Sequence, residues 1–436
     1  MFMKPSRGVH FARTRLSLAA MLSLGACAVG PNYKAPHSDL AAFHNVDLRG
    51  CDGGQTSLDR WWESFHDAEL VRIEQRVLTQ NLDLEAAIGR IRQAHGAAEA
   101  AAAQMLPTLD FAPQVSAYRL SNEGLIGRMA RNFPGYNRDQ RAYDMHGVAS
   151  WELDLFGGLR RGHEAARDEA EAAVAQSAGV RISVAGDAAD AYFQIRGYQA
   201  RLRVAQDQIS TDRHLFDLVQ QKRDRGVASQ RELDQAQALL QSARETVPVL
   251  RVALEVQLNR LDVLMGAQPE TYAQELAFAS PSPAILPIGN VTPAGFGPSA
   301  SGALRWRIFD FGKIDAEVQQ AKSAHAEQLA QYRSTVLHAA EDVENAFMAL
   351  AQSEKRGDDL RTEVASLTQA RDLSSQSYKA GVIPLTDVLD ANRQLLEAED
   401  RQADNQSETA RAAVRSFRAI GGGWEGAADG LQIASR

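Results

Sequence analysis

Long stretches of this chain place apolar residues three or four positions apart, with Ala, Gln, Glu and Arg between them. This spacing is the period of an amphipathic helix. It predicts three long helices before residue 267, over residues 67–104, 159–225 and 229–266. The second would be about 100 Å long at 1.5 Å per residue. Helices of that length cannot wrap around one compact core, so the pattern indicates coiled coils or the staves of a helical barrel.

Between the first two helices the apolar period shortens to two. Alternating runs occupy residues 108–111, 115–120 and 143–155, and a loop rich in Gly and Asn separates the last run from the others. This pattern predicts a β hairpin with a long exposed loop. One hairpin cannot form an independent sheet. Hairpins contributed by three chains could close a barrel, which has no free strand edge.

Composition narrows the class of protein. The 436 residues are 44% hydrophobic and 23% charged, which excludes a disordered chain. The formal charge of −8 and the lack of a Lys/Arg cluster argue against a nucleic-acid partner. Two cysteines, Cys27 and Cys51, cannot form a disulfide framework. No His/Cys cluster has metal-ligand spacing and no Gly-rich phosphate loop follows a strand, so we predict no enzyme activity, metal or cofactor.

The first 26 residues have the features of an export signal. Basic residues come first, an apolar stretch covers residues 16–24, and small residues precede Cys27. The end of this segment resembles the lipobox of bacterial lipoproteins, which implies cleavage before Cys27 and a covalent lipid on its thiol. Because Ala28 stands where an Asp often retains lipoproteins at the inner membrane, the resemblance favours the outer membrane. The alternative is an ordinary buried cysteine at the end of an apolar leader.

The chain repeats itself at a spacing of 155 residues. The matching pairs are Trp151–Gly157 with Trp306–Gly312, Asp187–Tyr192 with Asp342–Phe347, Arg225–Val227 with Ala380–Val382, and Glu232 with Asp387. Several matches in one register over about ninety residues indicate an internal duplication. The repeated unit is a strand, a very long helix, a glycine turn and a second long helix.

Several short segments in this order resemble the TolC family of outer membrane efflux proteins, in its NodT/OprM lipoprotein branch. They are Cys27–Tyr33, Trp61–Asp67, Trp151–Gly157, Tyr378–Gly381 and Ala419–Trp424. The resemblance implies a mainly α fold with a β hairpin region, completed by trimerisation into a long-helix α-barrel and a membrane β-barrel. It implies the outer membrane channel of a tripartite efflux system, which passes drugs or other toxic small molecules to the exterior. The partners would be two further copies, a periplasmic adaptor, an inner-membrane pump and outer-membrane lipid.

The repeats and the resemblance define six segments. These are a signal peptide (1–26), a lipid-anchored extended segment (27–66), a first efflux repeat (67–266), a shortened connector (267–300), a truncated second repeat (301–424) and a tail (425–436).

The connector departs from the family pattern. Family members open the second repeat with a further long helix and a strand, but residues 280–300 are short and rich in Pro, Gly and Ser. The helix over 67–104 therefore has no visible counterpart. Either a degenerate strand lies within 285–291 or 296–303, or a trimer has nine strands instead of twelve and the channel is altered or non-functional. The alternative function is a non-conducting periplasmic coiled-coil envelope lipoprotein.

A set of polar residues is predicted to form a periplasmic gate. Asp387 and Asp390 are three positions apart and share one helix face. The resemblance places them where three subunits converge, so that six carboxylates would repel one another and attract cations. Glu232 is the repeat equivalent of Asp387, and Tyr378 matches a tyrosine that links neighbouring helices in the closed state. The alternative is that Asp387 and Asp390 stabilise a helix start after Pro384, worth ~0.3–1 kcal/mol.

The two glycine turns are predicted to be the tips of helical hairpins. They contain Gly226 and Val227 in the first repeat, and Gly381 and Val382 in the second. The family resemblance makes these tips the docking point for the periplasmic adaptor. Their structural role is to supply the positive φ that a tight helix reversal requires, and both roles are compatible.

Overall fold

A computed structural model describes residues 31–36, 43, 58–119, 121, 123–130, 132–135, 137, 139–272 and 311–423. After a 3₁₀ segment at Leu58–Phe65, the elements are α1 (Ala68–Gln80), α2 (Leu82–Ala103), β1 (Thr108–Arg119), α3 (Leu125–Ala130), β2 (Asp139–Ser150), α4 (Gly158–Asp224), α5 (Gln230–Leu264), α6 (Lys313–Lys379) and α7 (Leu385–Ala419). The expected mainly α fold with one β hairpin is confirmed. The described residues divide into two compact units. One is centred on residues 93–172, and the other contains residues 58–92, 173–272 and 320–423. The expectations for Cys27, for residues 285–303 and for the tail lie outside the described residues.

The internal repeat is visible in the bounds of the long helices. Helix α6 begins and ends 155 positions after α4, and α7 begins and ends 155 positions after α5. All four helices are followed by a glycine with positive φ, namely Gly226 (75°), Gly266 (70°), Gly381 (77°) and Gly421 (78°). Because a left-handed residue ends an α-helix, these glycines determine the length of each helix.

The single helix expected over residues 67–104 is wrong, because the chain breaks at Asn81. The backbone of Asn81 is extended (ψ 129°). Its side-chain oxygen accepts hydrogen bonds from the backbone amides of Asp83 (2.9 Å) and Leu84 (3.1 Å), and its amide donates to the carbonyl oxygen of Leu264 (2.9 Å). Asn81 therefore caps the start of α2 and also binds the end of α5.

The β hairpin is antiparallel, with Thr108 opposite Ser150 and Arg119 opposite Asp139. The expected second strand, 143–155, is corrected to Asp139–Ser150. Within the described residues, those beyond Ser150 have no partner strand, because β1 begins at Thr108. They lead into α4, where the carboxylate of Asp154 accepts a 3.0 Å hydrogen bond from the backbone of Arg160. The connecting loop contains the short helix α3.

An aromatic core lies in the second unit, where the 3₁₀ segment and α1 pack on α4, α5 and α7. Its fully or nearly fully buried members include Trp61, Leu70, Val77, Tyr192, Leu261 and Val414. The ring of Trp61 stacks on Phe417 with centroids 5.4 Å apart. The Tyr192 hydroxyl donates a 2.5 Å hydrogen bond to Asp67, which also caps α1. Among the helices of the described residues, none has an apolar stretch long enough to cross a bilayer.

Candidate functional site

Both helical hairpin tips are closed by the same hydrogen-bonding pattern. In each turn the residue after the glycine donates to the carbonyl oxygen five positions earlier, and the glycine donates to the carbonyl three positions earlier. The longer-range bonds are Val227 N to Lys222 O and Val382 N to Ser377 O, both 2.9 Å. This is the Schellman motif, which requires a left-handed residue and explains Gly226 and Gly381.

Each tip presents one large apolar side chain to solvent. Val227 is 73% exposed and Val382 is 76% exposed. A Cβ at Gly226 or Gly381 would meet no atom within 4 Å, so the tips are open as well as tightly turned. The structure thus places the four predicted docking residues at two matching tips. Their role in docking stays a prediction.

A hydrophobic cluster joins the two tips. Its buried members come from both repeats and are Leu215, Val219, Leu233, Ala236, Tyr378, Leu385 and Val388. The Nζ atom of Lys222 lies 3.8 Å from the centre of the Tyr378 ring and donates a 3.0 Å hydrogen bond to the Tyr378 carbonyl oxygen. The last turn of α4 is therefore bound to the last turn of α6.

Tyr378 is a buried member of this cluster, and Glu232 lies close enough for its charge to act on the Tyr378 hydroxyl. The Tyr378 hydroxyl is buried, and within the described ranges it has no hydrogen-bond partner. Burial raises the pKa of Tyr378, and the charge of Glu232 raises it further. Glu232 itself forms a capping box with Ser229, accepting from its backbone amide at 2.7 Å and from its hydroxyl at 2.9 Å. The bond from the Ser229 backbone lowers the pKa of Glu232.

Asp387 and Asp390 lie on the exposed start of α7 and have different partners. Asp387 is in the first turn and accepts a 3.3 Å bond from the hydroxyl of Thr386. Asp390 accepts from the Arg393 guanidinium at 2.8 Å and from the Gln394 amide at 2.6 Å. The Arg393 hydrogen bond is the main reason that the pKa of Asp390 is lowered. In one chain the two carboxylates are thus exposed and available to a neighbour.

Sequence reasoning missed the two cations of this region, Lys222 and Arg393. Lys222 lies in the last turn of α4, where the helix dipole favours a cation. Arg393 lies three positions after Asp390, a spacing that places the two side chains side by side. Both signals were present in the sequence. The contact between Lys222 and Tyr378 could not be predicted from the sequence, because 156 positions separate the two residues.

The β hairpin has two chemically different faces. Over residues 109–115 and 143–149 one face is apolar and exposed, with Leu109 at 45%, Phe111 at 69%, Val115 at 67%, Tyr143 at 66% and Met145 at 74%. At the loop end the same face carries charged residues, namely Arg119, Asp139 and Arg141. The opposite face is mainly polar and carries Asp110, Gln114, Ser116, Asp144 and His146, together with the exposed Val148. Each strand has 12 residues, enough to cross the hydrocarbon core of a bilayer when tilted. The apolar face is suited to lipid and the polar face to water.

Metal ligands do not cluster in the part of the chain that the structure describes. No group of three His, Cys, Asp or Glu side chains there could hold a metal ion. The expectation that the protein uses no cofactor stays a prediction.

Comparison with known proteins gives a consistent result. The profile of the family described as "Outer membrane efflux protein" matches residues 74–267 and 296–422. The chain is 27% identical to the pyoverdine export outer membrane protein OpmQ of Pseudomonas putida, over 84% of this chain and 88% of that protein. It is 27% identical to nodulation protein T of Rhizobium leguminosarum bv. trifolii, over 92% and 96%. The structure of the outer-membrane channel OprN aligns with a TM-score of 0.78 and 27% identity, over 91% of this chain and all of that one.

The two-faced hairpin and the paired long-helix repeats define a subunit of an outer membrane channel. The chain belongs to the outer membrane efflux protein family. It is therefore an outer membrane component of an efflux system that extends into the periplasm, as its relatives are.

Proposed function

We propose that three copies of this chain form a lipid-anchored exit channel, which carries small molecules from a periplasmic pump assembly to the cell exterior. The observation that carries the proposal is the β hairpin. Its apolar side chains are 45–74% exposed in a single chain, which is a costly arrangement in water. Lipid on one face and a water-filled lumen on the other accommodate both faces.

The gate is proposed at the start of α7. Asp387 and Asp390 are exposed, and Asp390 is held in its charged form by Arg393. Three chains would bring six such carboxylates together at a constriction. Their mutual repulsion would favour opening, and their charge would favour cations. The buried Tyr378 and its Lys222 contact would hold each pair of tips in the closed arrangement.

Docking of a periplasmic adaptor is proposed at the two hairpin tips. Val227 and Val382 project from turns of equal geometry, 155 positions apart. A trimer would therefore present six equivalent apolar points, which a partner with matching apolar tips could engage. The pump, which the adaptor would connect to this channel, would select the substrate. The relatives include proteins named for pyoverdine export and for toluene efflux, which supports export of small molecules.

Single-channel conductance in a planar bilayer tests the proposal. The detergent-extracted parent is compared with the double variant Asp387→Ala/Asp390→Ala. The matched control is Asp358→Ala/Asp359→Ala, which removes two exposed acids from α6 away from the tips. We expect small cation-selective openings in the parent and in the control. The gate variant should give larger openings with weaker cation selectivity.

Two results would contradict parts of this proposal. Folded protein that gives no conductance in any variant would reject the channel and favour a non-conducting envelope lipoprotein. Equal conductance in the parent and in the gate variant would leave the channel intact but reject the gate at Asp387 and Asp390.

A further inference from the structure

The loop end of the β hairpin is basic in a chain that is acidic overall. The acidic residues between positions 119 and 141 are Glu123 and Asp139, and this segment contains no lysine. The whole chain has 55 acidic and 47 basic residues, so the positive charge of the segment is a local feature. The segment has five arginines, namely Arg119, Arg128, Arg131, Arg138 and Arg141.

In the proposed channel the loop end of the hairpin faces the cell exterior. Helix α2 precedes β1 and helix α4 follows β2, so both strands join their long helices at the end where Thr108 pairs with Ser150. The protein extends from the outer membrane into the periplasm, as its relatives do. The helix end of the hairpin is therefore on the periplasmic side, and the loop end is at the outer leaflet.

The apolar face of the hairpin becomes charged at the depth where lipid headgroups begin. On this face no charged residue occurs from Leu109 to Ala117, and Arg119 comes next. Ten residues at about 3.4 Å each separate Leu109 from Arg119 by about 34 Å. A strand tilt of about 40° reduces this distance to roughly 26 Å of membrane depth, which is close to the ~25 Å apolar band of membrane strands. Arg119 therefore lies at the outer edge of that band.

The second strand shows the same order of residues. Along this face of β2, Met145 is followed by Tyr143 and then by Arg141. Tyrosine is typical of the boundary between the hydrocarbon core and water, where its ring is apolar and its hydroxyl is polar. Arg141 lies about 7 Å further along the strand than Tyr143, at the level of the headgroups.

The arginines of the loop end differ in their partners. The guanidinium of Arg119 binds both carboxylate oxygens of Asp139, at 2.7 and 3.2 Å. Arg128 and Arg141 are exposed, and within the described ranges neither side chain forms an ion pair. These two guanidinium groups therefore keep their charge for a ligand.

The loop also exposes large apolar side chains. Leu125 and Met129 lie four positions apart on α3 and are 72% and 68% exposed, and Phe133 is 70% exposed. Arg128 is the neighbour of Met129 in the same helix. Segments that combine cations with exposed Leu, Met or Phe rest at the boundary between headgroups and acyl chains. This loop therefore has the character of a segment that contacts the membrane surface.

The use of arginine without lysine indicates the chemistry of the ligand. A guanidinium group is planar and can donate two parallel hydrogen bonds to one phosphate, whereas an ammonium group acts as a point charge. We propose that Arg128 and Arg141 bind the phosphates of an outer-leaflet lipid, with Leu125, Met129 and Phe133 at the edge of its acyl chains. The inference rests on the proposed channel, whose apolar hairpin face contacts lipid, and it names the lipid chemistry that this face selects.

Binding of fluorescent bisphosphorylated lipid A to the full-length, detergent-extracted protein tests the site. We expect Arg128→Gln/Arg141→Gln to bind about thirtyfold more weakly than the parent, because two cations near an anionic lipid are lost. The matched control is Arg90→Gln/Arg92→Gln, which removes two exposed arginines from α2 and should bind as the parent does. Equal affinity of the parent and the loop variant would overturn the proposal, and so would an equal loss in the control.

Dephosphorylated lipid A identifies the group that is recognised. The parent should bind it about as weakly as Arg128→Gln/Arg141→Gln binds the phosphorylated lipid. Arg128→Lys/Arg141→Lys keeps the charge but loses the paired hydrogen bonds, so its affinity for the phosphorylated lipid should lie between those of the parent and the Gln variant. A parent that binds both lipids equally well would overturn recognition of phosphate.

The depth of single side chains gives a measurement that is independent of affinity. Met145→Cys and Arg141→Cys, each in a Cys51→Ser background, are labelled with a fluorophore in proteoliposomes, and Cys51→Ser alone gives the background signal. A quencher at the centre of the acyl chains should act more strongly on position 145, and a quencher on the headgroup more strongly on position 141. A label at 141 that only an aqueous quencher reaches would overturn the proposal.

These measurements separate failure of the lipid site from failure of the proposed function. A conducting parent with equal affinity for lipid A in the parent and the loop variant would reject the lipid site and leave the channel intact. Folded protein that gives no conductance, and whose label at position 145 is reached only by the aqueous quencher, would reject both.

Discussion

The ammonium group of Lys222 lies 3.8 Å from the centre of the Tyr378 ring and donates a 3.0 Å hydrogen bond to the carbonyl oxygen of the same residue. The cation thus contacts the face of a buried ring and the carbonyl end of a helix, and both attract positive charge. Because Lys222 lies in the last turn of α4 and Tyr378 in the last turn of α6, one side chain couples the two tips that the proposed gate must separate.

Replacing Lys222 by Met should loosen the tips while keeping an unbranched side chain of similar length. The variant loses a cation–π contact of about 0.5–2 kcal/mol and a hydrogen bond. We expect a larger open probability in bilayers and faster amide exchange over residues 378–382. Lys222→Arg is the control, because it keeps the charge and the donor. Identical behaviour of the Met and Arg variants would show that the contact does not restrain the tips.

Alanine at the tip glycines should destabilise the protein through backbone strain alone. Gly226 and Gly381 have φ of 75° and 77°, and an added Cβ would meet nothing within 4 Å. We expect Gly226→Ala and Gly381→Ala each to lower the free energy of unfolding by about 1–2 kcal/mol, measured by urea titration.

The matched control for the tip glycines is Gly179→Ala. Gly179 also has open space around its Cβ position, but it lies within α4. Alanine there should raise stability by about 0.5–1 kcal/mol, because it reduces the conformational entropy of the unfolded chain. A loss of stability of equal size at all three positions would contradict the strain argument.

The bounds of the long helices α4 and α5 could be predicted from the sequence, because local signals determine where these helices end. The glycines at 226 and 266 stop α4 and α5 through their own backbone preference, so the bounds expected for these two helices differ from the observed ones by at most two residues. The hairpin was also predictable, since its two-residue period spans both strands. The end of β2 at Ser150 could not be predicted, because Trp151, Leu153 and Leu155 continue the alternation although, in the part of the chain that the structure describes, no strand pairs with them.

Contacts between residues that are distant in sequence explain the features that could not be predicted. Asn81 breaks the first helix partly because its amide binds Leu264, which is 183 positions away. The repeat and the family resemblance were sufficient to locate the candidate gate, but they did not give its geometry. The engagement of Glu232 by Ser229 was readable as a capping box, whereas the Lys222 contact with Tyr378 depends on how the repeats pack.

Stability should depend on pH through Asp212. Its carboxyl is 1% exposed, accepts one 2.8 Å bond from Gln208, and leaves its second oxygen without a partner among the described residues. Burial raises the pKa of Asp212 from 3.8 to about 6. The folded state therefore binds this proton more tightly than the unfolded state does. The cost of ionising the buried group is fully present above pH 6 and decreases as the pH falls towards 4.

Asp212→Asn should remove this cost. At 1.36 kcal/mol per pKa unit, we expect the variant to be more stable than the parent by about 2–3 kcal/mol at pH 7.5, and by about half of that at pH 5. Urea titration at the two pH values measures the difference. Asp207→Asn, at an exposed position of α4, should change stability little at either pH. A gain for Asp212→Asn that is independent of pH would show that relief of ionisation is not its cause.

The proposed lipid anchor makes a prediction that separates the two cysteines. Cells that express the chain with labelled palmitate should yield labelled protein from the parent and from Cys51→Ser, but not from Cys27→Ser. Each buried CH2 of an acyl chain contributes ~0.8 kcal/mol to membrane binding, so several chains tether firmly. The hairpin should still hold a fraction of Cys27→Ser in the outer membrane, because its apolar face does not depend on the lipid. Label retained in Cys27→Ser would reject the anchor. Ala28→Asp should keep the label and move protein to the inner membrane, and an unchanged distribution would show that position 28 does not direct sorting.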